Sequence, residues 1–165
     1  MSFMYNPFPY DDPSAVNKIS VDPSLRAAIA RGLTAAAAQL AKAAAEKARE
    51  QGACVLALDG YISAPFEILA RQVARAAAQA GLAVRVVDSA GLYKEEAVLA
   101  AELLRNLPED RVEDPPLLYG RLYSGGYEGL MDAGKVGALA GELARFKAEG
   151  SGLTILYGNG CLIGA

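Results

Sequence analysis

Short, continuous apolar runs alternate along this chain with longer stretches in which apolar residues recur every third or fourth position. The short runs, 54–58, 82–87, 117–123 and 153–157, have the length and Val/Ile/Leu content of strands covered on both faces. The longer stretches predict helices. The first opens at Asp22-Pro23, an N-cap followed by the residue best suited to a first helical position. It runs to about Gln51, with Leu25, Ile29, Leu33 and Leu40 on one stripe; Gly32 and Thr34 could bend or split it. A second helix follows Pro65 and buries Phe66, Leu69, Val73 and Ala77 before Gly81. A third, 94–107, turns Val98, Leu99, Leu103 and Leu104 inward, and a fourth follows Asp132-Ala133 and covers 134–149. Strands alternating with helices at this spacing predict an α/β fold: a three-layer parallel sheet of about four to five strands flanked by helices.

This pattern also divides the chain. Residues 1–22 carry Pro7, Pro9 and Pro13 among Asp, Asn and aromatic residues, and are expected to form an extended N-terminal arm. Residues 23–165 are expected to form a single α/β domain. The apolar end at 161–165, after a strand and a glycine turn, reads as a fragment of a longer chain.

Composition narrows the chemistry. The 165 residues include no histidine, which removes the commonest general base and the commonest metal ligand, so no metal site is expected. Cys54 and Cys161 stand too far apart for a metal knuckle and lie in apolar runs, as buried free thiols of a reducing compartment do. Net charge is −3, and the basic residues Arg26, Arg31, Lys42, Lys47 and Arg49 read as a solvated helix face, so no nucleic-acid partner is expected. The N-terminus has no signal-peptide pattern and no window is a convincing membrane span; a cytoplasmic protein without a membrane partner is the expectation.

Candidate chemistry concentrates in 53–67, a strand, a loop and the first turn of a helix. Ligands of open α/β sheets bind beyond the carboxyl ends of the strands. The polar groups there are Asp59, Asp88 with Ser89, Tyr123, and Asn159 after Tyr157. With Gly60, Tyr61 and Ser63 of the first loop, these are the ligand-binding candidates; no catalytic residue is legible. The plainer alternative is that Asp88 and Ser89 cap the element that follows. Tyr61, Tyr93, Tyr119, Tyr123, Tyr127 and Tyr157 could stack on a sugar or base, but a buried ring with its hydroxyl in water is the preferred reading. The loop 59–64 stands where a phosphate-binding loop would, yet it has one glycine, no lysine in it or after it until Lys94, and Pro65 where an amide donor would help. Glu67 in the first helical turn opposes an anion.

Four segments carry a family resemblance: Asp59-Gly60-Tyr61, Val87-Asp88-Ser89, the run from Tyr119 to Gly126, and Tyr157-Gly158-Asn159-Gly160-Cys161-Leu162. Over roughly 50–163 the chain resembles the domain that precedes the cupin in one group of bacterial class I mannose-6-phosphate isomerases. That domain is similar in layout to the nucleoside and uridine kinase branch of P-loop folds, here with a degenerate phosphate loop. The resemblance implies a non-catalytic, kinase-like accessory domain that binds a regulatory sugar phosphate or nucleotide or mediates subunit assembly, including homo-oligomers. It implies a C-terminal cupin as covalent partner, with the isomerase zinc and activity in that cupin and no cofactor in this chain. Asp88 matches the acid that lies near the substrate hydroxyl in such kinases. The alternative is a small-molecule kinase with an atypical phosphate loop.

Overall fold

The computed structural model describes residues 21–107 and 123–165, which divide into two units at Arg31/Gly32. Most of the expected arm, and 117–122 of the expected third strand, lie outside the described residues.

In the first unit, helix α1 spans Pro23–Ala28. Asp22 caps it as expected, its carboxylate accepting from the Ser24 amide at 2.8 Å. The predicted apolar stripe fails here. Leu25 is 63% exposed and Ile29 56%, so neither is a core anchor. The helix is too short to continue the stripe: Ile29 is already extended, and Gly32, with φ +81°, takes a conformation that disfavours any side chain.

The second unit begins with α2, Leu33–Gln51. Its buried face is made of alanine (Ala37, Ala41, Ala44, Ala45 and Ala48) rather than of the leucines; Leu33 and Leu40 are only half-buried. Strand β1, Ala53–Leu58, follows, then α3, Phe66–Gln79, which buries Ala70, Val73 and Ala77. The remaining elements are β2 (Val84–Asp88), α4 (Glu96–Leu104), α5 (Tyr127–Leu130), α6 (Ala133–Glu149) and β3 (Gly152–Tyr157).

The described strands form one parallel sheet in the order β1-β3-β2, with Leu58 level with Tyr157 and Tyr157 level with Asp88. Three strands are seen where about four to five were expected. Of the predicted third strand only Tyr123 is described, and it is not in a strand. Helices cover both faces. On one, α2 and α3 pack on Leu58, Leu153 and Ile155. On the other, Leu139 and Leu143 of α6 pack with Leu156, Leu92 and Cys161. Asp132 caps α6, accepting from the Lys135 amide at 3.0 Å.

The third predicted helix needs correction. It is shorter, and most of its predicted inward residues are exposed: Val98, Leu103 and Leu104 are exposed, Leu99 is half-buried, and α4 fully buries no residue. Periodicity marks an apolar face, but does not supply the surface that covers it.

Candidate functional site

The register of the sheet creates the site. Leu58, Tyr157 and Asp88 end their strands side by side, so the residues that follow, Asp59, Gly158 and Ser89, leave the sheet in a row at its carboxyl edge. Asn159 ties the row together. Its Nδ2 donates to the Gly60 carbonyl at 2.7 Å, holding the β1 loop. Its own carbonyl accepts from Ser89 Oγ and from the Tyr93 hydroxyl, each at 3.1 Å, holding the segment after β2. Asn159 therefore spans both flanking loops from the central strand.

Each partner is placed by its local structure. Asp59 accepts from the Gly60 amide at 2.7 Å and stays exposed, as a loop acid rather than a helix cap. Asp88 accepts from the Ala90 amide at 2.8 Å and so caps the 3₁₀ turn Ser89–Leu92. The capping role is thus present, and it uses only one carboxylate oxygen. The other accepts from the Tyr157 hydroxyl at 3.0 Å. Ser89 is buried, and Gly158 passes directly over it at φ +108°. Tyr93 is fixed from behind: Lys135 Nζ donates to its carbonyl at 3.0 Å, and Tyr93 bridges Met131 across an antiparallel contact.

Beside this row lies an open cleft of about 520 Å³, lined by Arg71, Ala74, Val86, Asp88 and Tyr157. Its polar groups are a carboxylate, a phenol and a guanidinium. Arg71 is anchored by Glu67, whose Oε1 accepts from Nε at 3.0 Å and from Nη2 at 2.7 Å, which leaves the remaining guanidinium donors to the cleft.

The sequence candidates therefore divide. Asp59, Gly60, Asp88, Ser89 and Asn159 come together. Tyr61, 78% exposed, and Ser63 project from the loop and make no hydrogen bond to this cluster among the described residues. Tyr123 lies against Gly125 and Gly129, where its hydroxyl leaves no room for a side chain, and not on Asp59 or Asp88. Sequence reasoning passed over Arg71, and gave Tyr93 and Tyr157 no partner. A signal for Tyr157 existed, since Tyr and Asp ending adjacent parallel strands stand level; the strand order needed to use it is not in the sequence. Among the described residues there is no cluster of three or more metal-binding side chains, and no helix is long and apolar enough to cross a membrane.

Burial raises the pKa of the Cys161 thiol, and the Asp59 carboxylate adds to the shift. Burial likewise raises Tyr93, helped by Tyr127 and Asp59, and Tyr157, helped by its bond to Asp88. An acid whose folded pKa is raised contributes stability that is complete below its unfolded pKa and lost as pH rises through the folded value. Thermal melts should therefore lose stability as pH rises above the ordinary thiol value of 9.0. In Cys161→Ala the early part of that decline should shrink, leaving the share of Cys54, whose thiol burial also raises.

Residues 32–165 match the family model described as Domain of unknown function (DUF8485). No curated protein and no solved structure matches the chain.

Proposed function

The chain belongs to the DUF8485 family, and we propose that its α/β unit is a non-catalytic, kinase-like domain that binds a regulatory sugar phosphate at the carboxyl edge of the sheet. The observation that carries this reading is the cleft beside Asp88. A carboxylate fixed by an amide and a phenol is a rigid acceptor for sugar hydroxyls, and Arg71 offers donors to a phosphate. The wider fold belongs to the same proposal: a P-loop-like sheet of about four to five strands. So does the accessory place of the domain, beside a mannose-6-phosphate isomerase cupin that carries the zinc. Binding without phosphoryl transfer is favoured because the 59–64 loop has neither a lysine nor a run of glycines to grip a triphosphate, and α3 carries Glu67 in its first turn.

Calorimetry with mannose 6-phosphate and with ATP–Mg²⁺ tests it. The expected result is binding of mannose 6-phosphate weakened at least about tenfold by Asp88→Asn, which keeps the shape but loses the charge. Absence of mannose 6-phosphate binding overturns the proposal. ATP–Mg²⁺ binding that disappears in Asp59→Ala would establish the kinase reading in its place.

A further inference from the structure

Among the described residues, no strand lies on the outer edge of β1. Gly152 N donates to Gly52 O and Gly158 N to Leu58 O, each at 3.1 Å. Bonding residues alternate along a parallel strand, so Cys54, Leu56 and Leu58 face β3, while Ala53, Val55 and Ala57 turn their N–H and C=O groups to the other side. Among the described residues no strand pairs there. Ala53 is buried and Val55 and Ala57 are half-buried, so the edge is only partly open to water. A groove of about 460 Å³ follows this edge, its rim formed by Lys47, Lys147 and Leu162. A sheet edge of this kind is a template for another strand.

The chain's own topology disfavours filling it with a parallel strand inserted between β2 and β3. The crossover from β1 to β2 runs through α3 on one face, and the return to β3 runs through α6 on the other. Both connections therefore share one hand, the right hand of parallel crossovers. A strand inserted between β2 and β3 but lying outside β1 would reach β3 over the α6 face in the reverse sense, and that crossover would be left-handed.

We infer that the occupant is a second copy of this chain, paired antiparallel through β1 about a twofold axis at Val55. Ala53 then bonds the partner's Ala57, and Val55 the partner's Val55, satisfying the outward N–H and C=O groups of all three residues. Charge supports this pairing. Lys47, Gln51 and Lys147 line the groove toward the Ala53 end, and exposed Asp59 follows Leu58 at the other end. An antiparallel twofold brings each copy's Asp59 toward the other's lysines. Lys47 also meets Glu50 at 3.3 Å, a well-exposed pair that competes weakly. The interface is separate from the Asp88 cleft and stands whether or not a sugar phosphate binds there.

Sedimentation of the full chain tests it at concentrations up to about 100 μM. The expected species has twice the 17.2 kDa chain mass. Ala57→Pro removes an outward N–H without removing a β1–β3 hydrogen bond and should give a folded monomer whose melt no longer depends on protein concentration. Lys147→Glu should weaken the dimer at least about tenfold, and adding Asp59→Lys should restore it. Should Ala57→Pro fail to fold, the charge exchange decides. A wild-type monomer throughout overturns the inference. So does a dimer that survives both Ala57→Pro and Lys147→Glu, which would place the contact elsewhere.

Discussion

Replacing Gly158 with alanine should cost roughly 2–4 kcal/mol of stability, by summing backbone strain and a buried clash. Its φ of +108° lies where a Cβ is strained whatever the space. There is no space either: the added methyl would strike Ser89 Oγ, with Asp88 Oδ1 3.6 Å away. Ser89 is 2% exposed and its hydroxyl is committed to the Asn159 carbonyl, so it cannot rotate aside without breaking that bond. The Gly158 amide also closes the ladder by donating to Leu58 O at 3.1 Å. A thermal melt should fall by about 4–16 °C at the usual conversion for a chain of this size. Because the collision lies within the clasp made by Asn159, the Asp88 cleft should loosen with it. A melt within about 1 °C of wild type would show that the turn accepts a side chain and that the clasp is soft.

That glycine also illustrates what the sequence makes legible. Residues 157–160 announce a turn after a strand, and Asp88-Ser89 announces another, because local composition encodes turns. The strands near 54–58, 82–87 and 153–157 appear within two residues of their expected limits, since buried parallel strands are continuous apolar runs. The order β1-β3-β2 is not local information. Without it, Asn159 cannot be seen to reach Gly60, nor Tyr157 to reach Asp88, across 99 and 69 residues of chain. Arg71 is hidden for the same reason: on α3 it reads as a surface cation paired with Glu67, and only the position of β2 makes it a wall of the cleft. Tyr61 and Ser63 fail in the opposite way. They sit in the right loop, but proximity in sequence to Asp59 does not point them at the same space.

Helix α4 and strand β3 give the sharpest contrast between pattern and packing, and a paired substitution should expose it. Leu156→Ala is expected to destabilise the chain by roughly 2–5 kcal/mol, whereas Leu104→Ala should stay within about 0.5 kcal/mol. Both replacements remove the same atoms from an apolar stretch. Leu156 is 0% exposed at the centre of the sheet, between neighbours on β1 and β2, and contacts the α6-side core. Its truncation leaves a cavity that two flanking strands and a covering helix cannot collapse to fill. Leu104 is 62% exposed and ends a helix that buries no residue. Its truncation removes little that folding had taken from water, and alanine has the better helix propensity. Chemical denaturation of both variants measures the difference at constant chain length. Equal losses would mean that α4 is covered in solution and that its leucines belong to a second interface. A small loss at Leu104 alone would leave β3, with Asn159 just beyond its end, as the element on which both cores and the clasp depend.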